Sequence, residues 1–229
     1  MDDLTQLPFF RPFPHEALAG LAATARWLHF SEGQTVLEHG DAPRDVYFVA
    51  TGTLRVVSRG SGGQELILND IGPGAVFGEL AVIDGATRSA GIVALTSSKV
   101  CALPAAPFLA FVLATPAASL HLMRSLVGLI REKDTRLFEL SVLPVRARLI
   151  SQLLRLARPR TQGGRIVSPP RTHHELASRI GTRREVVSRA IAALQRERLL
   201  EQAKGGLILP QPVLLEQELR EAWRLVGGN

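Results

Sequence analysis

The sequence has little of what several classes of protein require. It contains one cysteine, Cys101, so this chain cannot form an internal disulfide, an iron–sulfur cluster or a cysteine-rich zinc site by itself. No apolar run approaches the roughly 20 residues that a membrane-spanning helix needs. The opening residues, MDDLTQLPFF, have no basic region ahead of an apolar stretch. We therefore expect a protein without a signal peptide, in the cytoplasm and away from the membrane.

Motifs of common enzyme classes are also missing. The chain has no P-loop, no G-x-S-x-G element and no run of metal ligands. The segment His173-His174-Glu175 lacks the second histidine of the zinc-binding motif H-E-x-x-H. We expect a protein that is not an enzyme and binds no metal, with Cys101 a buried strand residue rather than a redox switch.

The positive charge is concentrated in the last third of the chain. Residues 144–229 contain 16 Lys and Arg against 7 Asp and Glu, whereas residues 1–143 contain 11 and 14. An extended acidic partner explains this asymmetry, and nucleic acid is the first candidate. A solvated basic surface that serves solubility is the alternative.

The middle of the chain has the sequence pattern of an all-β domain. From Phe30 to about Leu103, short β-branched and aromatic runs such as DVYFVATG and SKVCALP alternate with Gly- and Asp-rich turns. Turn signals at intervals of about eight to twelve residues are typical of an antiparallel sandwich, jelly roll or barrel. A short amphipathic helix over residues 14–28 is expected before it.

A long helix is predicted from Ala117 to Val142. One apolar stripe follows spacings of three and four residues through Leu120, Met123, Val127, Ile130 and Leu137, and a second stripe runs beside it. A helix that is apolar on two faces predicts a dimer seam, with one stripe on the β-domain and the other on a second copy. A single core helix between two domains is the alternative.

The last third predicts a winged helix-turn-helix. Two helices, 172–180 and 182–198, flank Gly181, and Thr172 and Thr182 each precede a Glu by three residues, as in a capping box. The segment PRTQGGR before them is expected to be a turn. After them, two short strands around Gly205-Gly206 predict a hairpin, the wing, and a last helix follows at about 213–225.

The second of these helices has a recognition surface. Arg184, Glu185 and Arg189 share one exposed arc of a helix, where Arg suits guanine and Glu suits cytosine in the major groove. A salt-bridged, solvated helix start is the alternative. Together with the charge and the wing, the pattern favours binding of double-stranded DNA, through Thr172, Thr182, Arg183, Arg184, Glu185, Ser188 and Arg189.

A second constellation lies in the β-domain, in PGAVFGELAVIDGATRSAG over residues 73–91. Glu79 follows Gly78, and Arg88 stands nine residues further on among small residues. Arg88 offers a guanidinium for a phosphate, and Glu79 can accept a ribose hydroxyl. From the residues alone, a structural Glu79–Arg88 salt bridge at a loop explains the same pattern.

These motifs resemble those of the catabolite-activator/FNR superfamily of transcription regulators, over about residues 7–225. FGELAVIDGATRSA is similar to the phosphate-binding cassette of cyclic-nucleotide-binding domains, and Arg184, Glu185 and Arg189 match the R-E-x-x-x-R pattern of recognition helices. The resemblance implies that Glu79 accepts the ribose 2′-OH and Arg88 pairs with the cyclic phosphate. It implies a ligand-binding set of Gly78, Glu79, Leu80, Arg88, Ser89 and Ala90.

The base contact departs from the family pattern. Cyclic-AMP-binding members carry a Thr-Ser pair on the dimer helix, and alignment through LPVRARL places Lys133 and Asp134 there. Asp134 therefore completes the predicted ligand set. The resemblance implies a cyclic nucleotide, cyclic AMP first, as an allosteric effector and no tightly bound cofactor. The cysteine cluster of FNR-type oxygen sensors is absent.

The sequence thus predicts an α+β protein in three parts. They are an N-terminal antiparallel β jelly-roll sensor (1–116), a dimerisation helix (117–143) and a winged helix-turn-helix domain (144–229). By resemblance, a homodimer would bind an inverted repeat with TGTGA-like half-sites and contact RNA polymerase. The same DNA-binding role with a non-nucleotide effector, or with none, remains open. A nucleotide-binding scaffold without DNA function conflicts with the basic last third.

Overall fold

The structure is a computed structural model that describes residues 3–59 and 65–227. It divides into two compact units, Met1–Gly128 and Leu129–Asn229. One long helix, α4, begins in the first unit and ends in the second.

The first unit contains the β-rich domain. After a 3-10 turn at Leu4–Gln6, its elements in chain order are α1 (His15–Ala22), β1 (Arg26–Phe30), β2 (Thr35–Leu37), β3 (Asp45–Thr51), β4 (Leu54–Arg59), β5 (Glu65–Ile71), β6 (Val76–Phe77), α2 (Glu79–Asp84), β7 (Gly91–Ala94), β8 (Ser98–Pro104) and α3 (Ala105–Ala114).

The second unit is mainly helical. Its elements are the end of α4 (Pro116–Val142), then α5 (Val145–Leu156), β9 (Arg158–Pro159), β10 (Arg165–Val167), α6 (His173–Arg179), α7 (Arg184–Arg196), β11 (Glu201–Ala203), β12 (Gly206–Leu209) and α8 (Pro212–Gly227).

The β-domain is a jelly roll of two four-stranded antiparallel sheets. The strand orders are β1-β8-β3-β6 and β2-β7-β4-β5. Side chains alternate between the faces of each strand, so the inward residues of both sheets form one core, which includes Val49, Leu54, Ile92 and Val100. The jelly roll, the long helix and the winged helix-turn-helix confirm the predicted α+β fold class.

The sheet of β1, β8, β3 and β6 is buried on both faces. Its outward residues, among them Phe48 and Cys101, pack against the N-terminal segment and α3 through Phe10 and Phe108. Phe10 and Phe48 have ring centroids 4.8 Å apart. Cys101 is a free, fully buried strand residue, as expected.

The helix expected over residues 14–28 is wrong in its second half. The helix ends at Ala22, and Arg26–Phe30 forms β1, with Trp27 opposite Cys101 of β8. Backbone pairing with β8 and the packing of the partly buried Trp27 against the core override the helical spacing of the sequence.

The wing is larger than the sequence indicated. β10 pairs with both β12 and β9, so the predicted PRTQGGR turn supplies strand residues to a four-stranded sheet of order β11-β12-β10-β9. The reversal itself falls at Gly163 and Gly164, which both have positive φ. A Cβ on Gly164 would lie 2.6 Å from the Leu209 carbonyl oxygen, so the sheet needs glycine there.

The two apolar stripes of α4 differ in exposure. Leu122 is buried in the core of the first unit, and Leu126 packs against that core. The other stripe is exposed along its whole length, at Leu120, Met123, Val127, Ile130 and Leu137. This exposed row is called the α4 stripe below.

Candidate functional site

The cassette predicted from the sequence is a strand–turn–helix–loop in the first unit. β6 ends at Phe77, Gly78 has a left-handed φ of 78°, and α2 begins at Glu79. A Cβ on Gly78 would lie 2.7 Å from Arg88 Nη1. Glycine is needed here both for the backbone conformation and for the close approach of Arg88.

Arg88 is buried, with only 3% of its surface exposed, and it ties the cassette to the sheet. Its Nη1 donates to the Gly78 carbonyl at 2.6 Å, and its Nη2 donates to the Asp45 carbonyl at 2.7 Å. Its Nε is buried and has no hydrogen-bond partner in the described part of the chain. The guanidinium therefore has a structural role and one donor directed at no protein acceptor among the described residues.

An aromatic and acidic group lies beneath Arg88. The guanidinium carbon is 5.8 Å from the centre of the Tyr47 ring, which stacks on Phe77. The Tyr47 hydroxyl donates to Asp45 Oδ2 at 3.3 Å, and Arg26 pairs with Asp45 Oδ1 at 2.7 Å. Burial raises the pKa of Tyr47 above its ordinary value, and the charge of Asp45 raises it further.

The other predicted ligand residues surround this centre. Glu79 is buried at the first position of α2, with 7% of its surface exposed. Leu80 and Ser89 are exposed, and Ala90 is partly exposed. The structure thus brings Gly78, Glu79 and Arg88 to one loop.

Asp134 lies on α4 in the second unit, and its side chain is exposed. The neighbouring Thr135 hydroxyl donates to the Arg131 carbonyl at 2.8 Å, a bond within the same helix. The role of Asp134 as a base contact stays a prediction.

The helix-turn-helix consists of α6 and α7. Thr172 caps α6, because its Oγ1 accepts a hydrogen bond from the Glu175 N–H at 3.1 Å, as predicted. Arg148 of α5 donates to the Ile180 carbonyl at 2.7 Å and so holds the turn at Gly181. The helix pair shares a buried core that includes Leu176, Ile180, Val187, Ile191 and Leu194.

The second predicted capping box is wrong. The residue that precedes α7 is Arg183, and no side chain caps this end. Because α7 begins at Arg184, Glu185 is its second residue and not its third, so it cannot complete a box with Thr182. The Thr182 N–H instead donates to the Ala177 carbonyl at 3.0 Å.

One side of α7 is exposed where the helix begins. Arg183, Arg184, Glu185 and Arg189 are exposed, while Val187 is buried against α6. Ser188 is only partly exposed, and its Oγ lies 2.7 Å from His173 Nδ1 and 3.0 Å from the Arg184 carbonyl. Arg183, Arg184, Glu185 and Arg189 of the predicted DNA-contacting set are therefore accessible, whereas the Ser188 hydroxyl already has two partners within the protein.

Two parts of these sites were missed by the sequence analysis. Asp45 and Tyr47 lie 43 and 41 residues before Arg88, and the atom of Asp45 that binds Arg88 is a main-chain oxygen. Every residue has a main-chain oxygen, so the amino-acid sequence gives no indication that this one binds Arg88. His173 stood out in the sequence, but nothing there indicated its bond to Ser188.

The described residues give no evidence of a metal cluster or of a single membrane-spanning helix. Residues 3–59 and 65–227 contain no group of three or more His, Cys, Asp or Glu that could hold a metal ion. Within the same residues, no single helix has the length and apolar character to cross a membrane, although α3 and α4, bent by 110°, pass that test as a pair.

Comparison with known proteins defines the class. Residues 27–115 match the family model of the cyclic nucleotide-binding domain, and residues 147–218 match that of the Crp-like helix-turn-helix domain. These two modules on one chain define a transcription regulator with a nucleotide-binding-type sensor, not an enzyme.

Whole-chain relatives agree. The cyclic AMP receptor protein of Thermus thermophilus is 35% identical over 204 residues, 89% of this chain and 92% of the relative. A CRP-like cAMP-activated global transcriptional regulator of Mycobacterium tuberculosis is 28% identical over 196 residues, 84% and 88% of the two chains. The solved Thermus thermophilus catabolite activator protein has 31% identity and a TM-score of 0.52, covering 94% and 99%. The chain belongs to the CRP/FNR family of transcription regulators.

Proposed function

We propose that this chain works as a homodimeric, sequence-specific DNA-binding regulator whose affinity for DNA is controlled by a cyclic nucleotide, cyclic AMP first. Residues 1–116 would sense the nucleotide, 117–143 would form the dimer, and 144–229 would bind DNA. Relatives described as cyclic AMP receptor and cAMP-activated regulators support this choice of effector.

The Arg88 guanidinium supports the nucleotide site. Its Nε is buried without a partner in the described chain, and the lack of a side chain at Gly78 allows Nη1 to approach the start of α2 closely. A cyclic phosphate oxygen on Nε would satisfy this donor with a charge-assisted hydrogen bond. The hydrogen bonds from Nη1 and Nη2 to main-chain carbonyls would hold the guanidinium in position for this contact.

The other predicted ligand residues would contact the ribose, the remaining phosphate oxygens and the base. Glu79 stands at the first turn of α2, next to Gly78, where its carboxylate would accept the ribose 2′-OH. The exposed Ser89 hydroxyl and the backbone at Ala90 would complete the phosphate contacts, with Leu80 covering the site. On α4, Asp134 would meet the base.

Calorimetric titration tests this site. We expect cyclic AMP to bind the purified protein with one saturable site per chain, and Glu79→Gln to weaken binding while adenosine without a phosphate binds poorly. Absence of heat and of any shift in melting temperature at millimolar cyclic AMP would remove the nucleotide from the proposal.

Dimerisation is assigned to the α4 stripe. Its five apolar side chains are between 44% and 66% exposed in the single chain. Exposed apolar rows of this length are costly in water, and spacings of three and four residues are those of a helix–helix seam. A second copy of the same helix would cover them.

Sedimentation velocity, which reports the oligomeric state, tests whether the α4 stripe forms the dimer interface. Val127→Glu should produce monomers, because it places a carboxylate inside the seam. Ser125→Glu adds the same charge about 160° away around the helix and should leave the dimer intact. Equal sedimentation of both variants and the wild type as dimers would contradict the assignment.

The DNA contacts follow from the exposed end of α7. Arg184, Glu185 and Arg189 would contact base edges, while Thr172, Thr182, Arg183 and Ser188 would lie near the phosphates. A twofold dimer requires an inverted repeat with half-site centres about 34 Å apart. TGTGA-like half-sites and contact with RNA polymerase rest on the family resemblance.

A second candidate keeps the DNA binding and omits the nucleotide. One observation favours it: both Nη atoms of Arg88 already bind main-chain carbonyls, as expected for a purely structural arginine. In that case DNA affinity would not respond to any cyclic nucleotide.

A further inference from the structure

Three consecutive residues near the end of α4, Phe138, Glu139 and Leu140, each contact a different element of the second unit. These three residues are called the α4 clasp below. On a helix of 3.6 residues per turn they point about 100°, 200° and 300° around the axis from Leu137, the last residue of the α4 stripe. The clasp therefore holds the helix on three sides, and the stripe occupies the fourth.

Phe138 binds the last helix of the chain. Its ring stacks on that of Trp223 of α8, with centroids 5.5 Å apart and planes that differ by 12°. Such aromatic pairs attract each other beyond the effect of burial alone. Phe138 is 50% exposed and lies outside the buried core of this unit. The stack therefore connects α4 to α8 without being needed to fill the core.

Glu139 binds α5. It is only 7% exposed, accepts a hydrogen bond from Ser151 Oγ at 3.0 Å and forms an ion pair with Arg155. A buried carboxylate is costly unless it is paired and hydrogen-bonded. Because both partners lie on α5, α4 cannot turn away from α5 without leaving this charge unpaired.

Leu140 reaches the turn of the helix-turn-helix. A Cβ on Gly181 would lie 3.4 Å from Leu140 Cδ2, so the leucine methyl group lies beside the main chain of that turn. Arg148 of α5 donates to the Ile180 carbonyl at the same turn. The end of α4 is thus packed against the segment from which α7 begins.

The connection between α4 and α5 would be a point of rotation without these contacts. Leu143 and Pro144 separate Val142, the last residue of α4, from Val145, the first residue of α5. Proline has no N–H to continue the helical hydrogen bonds, so the two helices are not joined as one rod. A single side-chain contact would still allow rotation about itself, whereas three contacts around the helix fix both its tilt and its rotation.

We propose that the α4 clasp sets the spacing between half-sites that the dimer recognises. This inference rests on the proposed dimer and its DNA binding. In that dimer Leu137 would face the second copy, while the clasp holds α7 at a fixed angle to the same helix. The distance and rotation between the two copies of α7 would then be fixed as well. One extra base pair moves a half-site by about 3.4 Å and rotates it by about 35°, which a rigidly held pair cannot follow.

Fluorescence anisotropy with three duplexes tests this role. Two contain an inverted TGTGA repeat, either with half-site centres about 34 Å apart or with one base pair inserted, and the third contains one half-site. All titrations contain millimolar cyclic AMP. The wild type should prefer the repeat without the insertion, and Phe138→Ala should reduce this preference by about 2–10-fold, the range for one aromatic stack. Affinity for the single half-site should not change, because Phe138 lies outside the predicted DNA-contacting set.

Further variants separate the clasp from general effects on folding. Trp223→Ala removes the same stack and should act like Phe138→Ala, and the double variant should lose no more than either one. Phe138→Tyr keeps an aromatic ring and should retain the preference. Glu139→Gln removes the charge that pairs with Arg155 and should also relax it. Leu225→Ala, at a position of α8 that is 87% exposed, is the matched control and should change nothing.

Two results would overturn the proposal. One is a wild type that distinguishes the two spacings while Phe138→Ala, Trp223→Ala and Glu139→Gln all retain the full preference. The other is a wild type that binds both repeats equally, because its two copies of α7 would then not be held at a fixed spacing. An equal loss of affinity for the single half-site and the repeat would assign Phe138 to the fold of the DNA-binding surface instead. Absence of binding to every duplex would contradict the proposed DNA-binding role itself, and this inference with it.

Discussion

His173 Nδ1 lies 2.7 Å from Ser188 Oγ and so joins the first residue of α6 to the middle of α7. The Ser188 hydroxyl has a single proton, which it donates to the Arg184 carbonyl at 3.0 Å. The bond connects the start of the helix-turn-helix to the helix that presents Arg184 and Arg189.

The first prediction concerns this link. Ser188→Ala and His173→Ala each remove the same hydrogen bond, so their effects on the free energy of unfolding should not add. A double-mutant cycle in urea should give a coupling of about 1 kcal/mol. Additive single effects would show that the two side chains do not interact in solution. The pair His174→Ala and Ser188→Ala is the matched control and should be additive.

The second prediction separates base reading from phosphate binding. Arg184→Ala should cost about 1–3 kcal/mol of DNA affinity and relax the preference at one base pair in each half-site. Arg183→Ala, the matched control at the adjacent residue, should weaken all sequences equally and reduce the salt dependence. Competition binding against single-base variants of the site measures both. A uniform loss with Arg184→Ala would place that side chain on the phosphates.

The third prediction concerns the double role of Arg88. Arg88→Leu should abolish cyclic AMP binding and also lower stability by about 1–3 kcal/mol, because the Gly78 and Asp45 carbonyls lose their donor. Arg55→Leu breaks the two-bond pair with Asp70 elsewhere in the roll, so it is the control for destabilisation. It should lower the melting temperature but retain nucleotide binding. Retained cyclic AMP affinity in Arg88→Leu would leave only the structural role.

The fourth prediction concerns the base. An ionised Asp134 only accepts hydrogen bonds, and guanine presents two adjacent donors, N1–H and N2–H₂, whereas adenine presents a donor beside an acceptor. Asp134→Ser should therefore raise the ratio of cyclic AMP to cyclic GMP affinity. Parallel calorimetric titrations of wild type and variant measure the ratio. An unchanged ratio would show that Asp134 does not touch the base.

Much of the fold could be predicted because its signals are local. Strands such as β3 and β8 are continuous apolar runs between turns, and α4 follows a helical spacing that ends at the proline after Leu143. β1 could not be predicted, because Arg26–Phe30 becomes a strand only by pairing with β8, some 70 residues later. The two-residue strands β6 and β9 have no periodicity to detect.

The candidate sites were also predictable only in part, where their residues lie close together in the sequence. Gly78, Glu79 and Arg88 lie within one short segment, and their residue types alone indicate an anion near a hydroxyl. The carbonyl of Asp45 and the ring of Tyr47 come from a distant strand, so only the folded chain shows that they hold Arg88.

The most direct test of the account is the affinity of the wild-type protein for an inverted TGTGA repeat, measured by fluorescence anisotropy with and without saturating cyclic AMP. Allosteric couplings of about 1–3 kcal/mol correspond to roughly 5–150-fold, so we predict tighter binding in that range with the nucleotide. A scrambled duplex should show no such gain. Equal affinity for the repeat with and without cyclic AMP would contradict control by the nucleotide and favour a regulator that binds DNA without it.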